Sequence, residues 1–347
     1  MGNFIQLHFL TAYPPANLNR DDLGRPKTAV FGGTQRLRVS SQSLKRAWRT
    51  SSVFGSKVGD HLGKRTHMVS KAVLDQLGNE AHAKAIAQTV AEVFAKVDDK
   101  KLAKGVISTG QIIHVSKAEQ DRIDAFVTKA KTSAPADADY ANLMGDGKGS
   151  VDIALFGRML AEHSSSSVEA ACQVAHALSV HKVAVEDDFF SAVDDLNTGE
   201  EDRGAGHIGT TEFSAGVLYH YVCIDTDLLK KNLNGDKQLT QLAVAALIEA
   251  CATVAPTGKQ NSFGSRARAS YFLAEKGGQQ PRSLCAAFLR PIDSQDQMFA
   301  SIDALTKTRS AMDKVYEPCS DANKSFNCLT GDGTLADVIA FCEEAVS

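Results

Sequence analysis

The stretch FGGTQRLRVSSQSLKRAWR, Phe31 to Arg49, decides how the rest of the chain is read. Gly32 and Gly33 mark a turn. After it, Leu37 and Val39 alternate with Arg36 and Arg38, which predicts a short strand with one apolar and one cationic face. Ser40 or Ser41 stands where a helix N-cap belongs. Beyond it Leu44, Ala47 and Trp48 recur at helical spacing, while Gln42, Lys45, Arg46 and Arg49 share the opposite side. Strand arginines, free amides of a helix start and a basic helical stripe are thereby gathered at one corner. Helix starts bind anions because unpaired N–H groups and the helix dipole point out of them. A phosphate-lined polymer is the natural partner.

A basic helix face is as often merely solvated. The distribution of charge tips the balance. The first fifty residues carry eight Lys or Arg against two acids, a net +6, so the remainder carries −9 to reach the chain's −3. A protein acidic elsewhere has collected its cations at one end, which is the footprint of a nucleic-acid site.

With 347 residues the chain has room for two domains or one large domain with insertions. Its 43% hydrophobic and 23% charged content suits a soluble globular protein. Seven cysteines are scattered without a C-x-x-C pair, a pattern of reduced thiols rather than of a disulfide framework or zinc site. No signal peptide precedes Asn3 and no apolar run reaches membrane-spanning length, so a cytoplasmic protein with no membrane partner is expected.

In chain order, NFIQLHFL (3–10) alternates Ile5, Leu7 and Phe9 with Gln6 and His8 and reads as a strand. The turn-rich segment after it delivers Asn19, Arg20, Asp21 and Asp22 to a surface loop. From Val53 to Met144 the pattern is helical: two helices broken near Gly78, a less ordered stretch, a helix over KAEQDRIDAFVTKAKT, then a loop at APADADYAN. This reads as an insertion. VDIALFGRML (151–160) reads as strand-like, and VEAACQVAHALSVHKVAV as a helix passing into a strand. Lys182 to Tyr221 reads as a protruding hairpin, with acidic EDDFFSAVDDL on one arm and Ser214–Asp225 as the strongest strand signal. Phe189 and Phe190 on such an arm are either core residues or wedges against bases. Residues 236–255 predict an amphipathic helix, followed by a basic loop with Lys259, Gln260, Arg266 and Arg268, then a strand. SLCAAFLRPI and TLADVIAFCEEAV read as helices separated by an irregular segment. Strands separated by helices, with hairpin and helical insertions, predict an α+β fold.

NFIQLHFL, LNRDD, AVFGG, RLRVSSQSLKRA, VDIALFGRM, AVDDL and GTTEFSAGVLYHY, in this order, closely resemble the CasC family, the repeating backbone subunit of type I-E CRISPR Cascade complexes. The likeness is dense over residues 3–50 and 151–225, includes GKQ at 258–260, and thins in the helical insertion and beyond about 270. It implies a hand-like molecule. An RRM-like (ferredoxin-like) palm would occupy 1–54 and 151–347, helical fingers 55–150, and a hairpin thumb about 182–221. It also implies that copies of the chain polymerise along a CRISPR RNA beside other Cascade subunits, and that target DNA is engaged through the guide. By the same likeness Asn19, Arg20, Lys27, Arg38, Ser40, Gln42, Lys45 and Arg49 contact phosphate or ribose, with Arg36 and Arg46 on the same basic corner. Met159 wedges against a base, Phe190 and His207 sit on the thumb near the kink, and Lys259 and Gln260 support the palm groove. Arg49 stands where a lysine is expected, which keeps the charge. The long acidic tip from Glu200 to Arg203 departs from the family pattern.

The competing chemistry is a metal-dependent endoribonuclease using Asp21 and Asp22, since loop carboxylates can hold a metal that activates water. The alternative is that these acids cap a turn or pair with Arg20 or Arg25, and no second carboxylate or histidine is tied to them by local spacing. GDGKGS (145–150) and PTGKQ (256–260) lack the phosphate-loop pattern, His176 and His181 lack metal-ligand helical spacing, and no H-E-x-x-H or G-x-S-x-G occurs. No catalytic residue, metal or cofactor is therefore implied.

Overall fold

The strand that begins at Phe4 lies inside the sheet, paired on both sides. In the computed structural model, which describes residues 3–78, 81–192 and 207–346, the strands are β1 (Phe4–Ala16), β2 (Thr28–Phe31), β3 (Thr34–Val39), β4 (Lys64–Thr66), β5 (Ile113–Val115), β6 (Cys172–Val174), β7 (Ala177–Ser179), β8 (Glu186–Ala192), β9 (His207–Asp225), β10 (Ala269–Gly277) and β11 (Ala322–Asn327). The main sheet runs β11-β10-β1-β9-β7-β3-β2, β6 and β8 also pair with β9, and β4 and β5 form a separate ladder. All these pairings are antiparallel.

Alternation along β1 sends Ile5, Leu7 and Phe9 into a core shared with Leu44 and Trp48 of the Ser41–Arg49 helix and Leu247 of the Lys237–Thr253 helix. Phe9 stacks on Phe272 at 5.0 Å between centroids, and Phe272 on Phe326 at 5.6 Å. The other face is covered as well: Gln6 and His8 are buried, and Leu10 packs with Leu284, Phe288 and Leu305. A second core gathers Val73, Ile86, Val90, Phe94, Ile113 and Val127 from the helices Lys71–Leu77, Ala81–Phe94 and Lys117–Ala130 and from β5.

Four local expectations are corrected. Val151–Phe156 is a helix, not a strand; Val151 to Leu155 are all buried, so the apolar run carries no period to tell one from the other. VEAACQVAHALSV forms β6 and β7, because pairing with β9 outweighs the helical preference of its alanines. SLCAAFLRPI holds only a short 3-10 turn, Cys285–Phe288, while the segment expected to be irregular contains the 20-residue helix Gln297–Tyr316 and β11. APADADYAN contains a short helix, Asp137–Ala141.

β8 pairs only with the first part of β9, from Glu186↔Phe213 to Ala192↔His207, and every residue of β8 is exposed. From Ser214 onward β9 joins the main sheet beside β1. At about 3.3 Å per residue, the seven residues of β8 carry the hairpin roughly 20 Å outward. Asp194, Asp195 and the acidic tip Glu200 to Arg203 lie outside the described residues.

Candidate nucleic-acid interface

The corner at Phe31–Arg49 is built by backbone ties. Lys27 N donates to Asn19 O at 2.8 Å, and Arg38 N to Lys27 O at 2.8 Å, which draws the Asn17–Lys27 loop against β3. Asn19 Oδ1 accepts from Ser40 N at 2.9 Å. Ser40, the N-cap, has its hydroxyl accept from Ser43 N at 3.3 Å and is itself buried, so its side chain is committed to starting the helix. Leu44, Ala47 and Trp48 are buried, while Gln42 and Arg46 are exposed and Lys45 and Arg49 half-buried. Gly258 meets the same loop closely: a Cβ there would stand 2.3 Å from Leu18 O, so only glycine fits.

Two cavities flank this helix, and Arg46 lines both. One, of about 470 Å³, is bounded by Asn19, Arg20, Asp21, Ser43 and Gly258. The other, of about 650 Å³, is bounded by Gln42, Lys45, Arg49, Arg65, His114 and Met159. Met159 is 86% exposed. Its base is rigid: Arg158 is buried, bonds Glu119 at 2.7 Å and Ser166 O at 2.7 Å, and bridges Val168 through the backbone. Lys45 Nζ lies 5.9 Å from the Phe156 ring centroid.

Behind the larger cavity a buried carboxylate sets the geometry. Asp152 accepts from His114 Nε2 at 2.8 Å, Gly63 N at 2.8 Å and Arg49 Nη1 at 3.4 Å. Burial pushes its pKa up, but the hydrogen bond and charge of His114, the Gly63 amide and Arg49 outweigh that and hold it below the usual carboxylate range. Arg38 reaches His176 Nδ1 at 2.9 Å, and burial together with the cations Arg38 and Lys27 lowers the pKa of His176.

The cationic face expected on β3 is half corrected. Arg36 is fully buried, with its guanidinium donating to Ser179 O at 2.9 Å, Phe288 O at 2.9 Å and Thr34 Oγ1 at 2.9 Å, and more weakly to Phe31 O and Leu289 O. Its guanidinium is turned to these acceptors inside the fold and presents no surface to a phosphate. Arg36→Ala is expected to lower the free energy of unfolding by about 3 kcal/mol, because buried carbonyls lose their partner. A urea midpoint checks this; an unchanged midpoint contradicts the structural role.

Lys259 also turns inward: its Nζ bonds Thr211 Oγ1 at the hairpin base. Gln260 Nε2 donates to Pro256 O at 3.0 Å and to Ser265, a latch within its own loop. Phe190 and His207 sit together on one hairpin face, 6.0 Å between centroids. Gly209 makes that possible, since a Cβ there would meet the Phe190 ring at 2.5 Å. Phe189, 67% exposed, projects from the opposite face with Ile208. Asp21 Oδ1 accepts from Leu23 N and Arg25 N and so caps its own turn. Among the described residues no group of three or more His, Cys, Asp or Glu is placed to hold a metal ion, and no helix is long and apolar enough to cross a membrane. Sequence reading missed Arg65, His114, Asp152 and His176; the pairing Arg65↔His114 on the β4–β5 ladder joins residues too far apart in sequence to suggest it.

Solved structures match nearly the whole chain, two of them as follows. One, titled "CRISPR RNA-guided surveillance complex, pre-nicking", is 30% identical with a TM-score of 0.84, covering 99% of this chain and 100% of that one. Another, titled "CRISPR RNA-guided surveillance complex", is 27% identical with a TM-score of 0.63 and the same coverage. No curated protein matches. The family described as CT1975-like protein matches residues 5–341. With nearly its full length matched, the chain belongs to the CT1975-like protein family, and the CasC likeness in its motifs is kinship.

Proposed function

We propose that the chain is a CRISPR RNA-binding backbone subunit of a Cascade-type surveillance complex. The observation that carries this is the cationic helix Ser41–Arg49, flanked by two cavities, in a chain whose net charge is −3. Lysine and arginine on a rigid corner hold phosphates and leave base edges free, as a subunit that accepts any guide must do. On this reading Asn19, Arg20, Lys27, Arg38, Gln42, Lys45, Arg46 and Arg49 grip the strand. Met159 on its rigid turn and Phe190 beside His207 act as wedges that interrupt stacking.

The same reading divides the chain like a hand. The order β10-β1-β9-β7, with the helices Ser41–Arg49 and Lys237–Thr253 sharing one core, supports assigning this sheet as an RRM-like palm. The second core would be the fingers and the β8–β9 hairpin the thumb. Copies of the chain would assemble along the guide in the cytoplasm with other Cascade subunits, and target DNA would pair with exposed guide bases. On this reading the role is structural, and Asp21 serves its own turn through Oδ1. Sequencing of small RNA co-purified with the chain and its complex partners tests the proposal. Repeat-derived ends flanking varied spacers are expected; absence of retained RNA rejects it.

A further inference from the structure

The larger cavity has a second wall. Lys45 and Arg49 share this cavity with Arg65 and His114 of the β4–β5 ladder, which belongs to the second core through Ile113 and Val115. Arg65 and His114 are directly paired across it, so their side chains share one face. Arg65 is exposed and makes no ion pair among the described residues. No carboxylate among the described residues lines the cavity; Asp152 lies behind it, and the charge of Arg158 is met by Glu119. Beside the cations, Ile112 is 45% exposed, an apolar surface at the same mouth as Met159.

We infer that the β4–β5 ladder is a second wall of the RNA cleft, with Arg65 a phosphate ligand facing Lys45 and Ile112 an apolar seat for the adjoining ribose or base. This rests on the RNA-binding reading above. The cleft falls in the size range of small-ligand sites, large enough for one nucleotide. An uncompensated guanidinium opposite a lysine repels it unless an anion lies between them, and a phosphate supplies that anion with two parallel acceptors for the arginine fork. Asp152 is the positioning residue. It ties His114 on one wall to Arg49 on the other, so the spacing of the walls is set by one buried carboxylate rather than by the ligand. A preformed cleft spends less of its binding energy on ordering.

The test is equilibrium binding of the full chain to a single-stranded uridine oligomer over a range of potassium chloride concentrations. Arg65→Ala is expected to reduce the slope of log affinity against log salt by about 0.7, one phosphate contact, with Arg65→Lys restoring most of it. Ile112→Ser is expected to weaken binding about threefold with the slope unchanged, the size of a small apolar contact. Both positions are exposed, so folding is unaffected, and a melting curve confirms it. If Lys45→Ala weakens binding while Arg65→Ala leaves affinity and slope at the parent values, the second wall is wrong and the RNA reading stands. If neither substitution changes binding, the RNA reading falls and takes this inference with it.

Discussion

Glu275→Gln is expected to lower the free energy of unfolding by about 3–5 kcal/mol, the cost of breaking a buried ion pair from one side. Glu275 on β10 has no exposed side-chain surface and is the hub of the sheet's second face. Arg282 grips it with two bonds, at 2.6 and 3.1 Å, and Arg309 Nε approaches at 2.7 Å. Ser320 Oγ donates at 3.2 Å, and His8 Nε2 on β1 lies 3.2 Å away. One carboxylate thus joins β1, β10, the Arg282 segment and the Gln297–Tyr316 helix. Glutamine keeps the shape but removes the charge that Arg309 and Arg282 share in a partly buried site, leaving Arg282 with the more distant Asp313 at 3.6 Å.

The pH dependence gives a second readout. Burial pushes the pKa of Glu275 up, but His8, Arg282 and Arg309 outweigh it and hold it well below the ordinary range. A carboxyl depressed in the folded state contributes fully above the unfolded-state value of about 4.3 and loses its contribution as pH falls below it. The stability gap between parent and Glu275→Gln should therefore be full at neutral pH and close in acid. A gap constant from pH 7 to pH 3 contradicts this role.

Replacing Lys45 and Arg46 together with Ala should reduce the salt slope of RNA binding by about 1.4, two phosphate contacts on a single strand. That slope change corresponds to a loss of about 25-fold at 0.1 M salt that disappears toward 1 M. The loss should be the same for unrelated sequences, since phosphates carry no sequence information. Both side chains lie outside the core of their helix, whose buried face is Leu44, Ala47 and Trp48. Melting temperature should hold. A loss confined to one sequence, or one that persists at high salt, contradicts backbone gripping.

The Ser41–Arg49 helix was legible because its information is local: a serine cap at Ser40, an apolar triad and a basic stripe lie within one short stretch. Arg36 was not legible for the opposite reason. Its alternation with Leu37 implies an open face, but the carbonyls that close over it belong to Ser179 and to Phe288, 252 residues later. The Gln297–Tyr316 helix hid because it buries only Ser301 and Leu305 fully and exposes Phe299, Val315 and Tyr316, so its apolar residues trace no clean stripe. Asp152 looked like one acid in an apolar run. Only its three convergent donors, from Arg49, Gly63 and His114, reveal a hinge-pin between two cores.

β1 pairs on one side with β9 and on the other with β10, so Phe4 meets Asp225 and Gly277. β1 is therefore made long before its neighbours, which lie more than 200 residues further along the chain. Such long-range closure slows folding, because chain entropy is surrendered before the contacts that compensate it exist. During synthesis NFIQLHFL leaves the ribosome as an unpaired apolar ribbon, and its safe passage depends on how soon the later strands arrive.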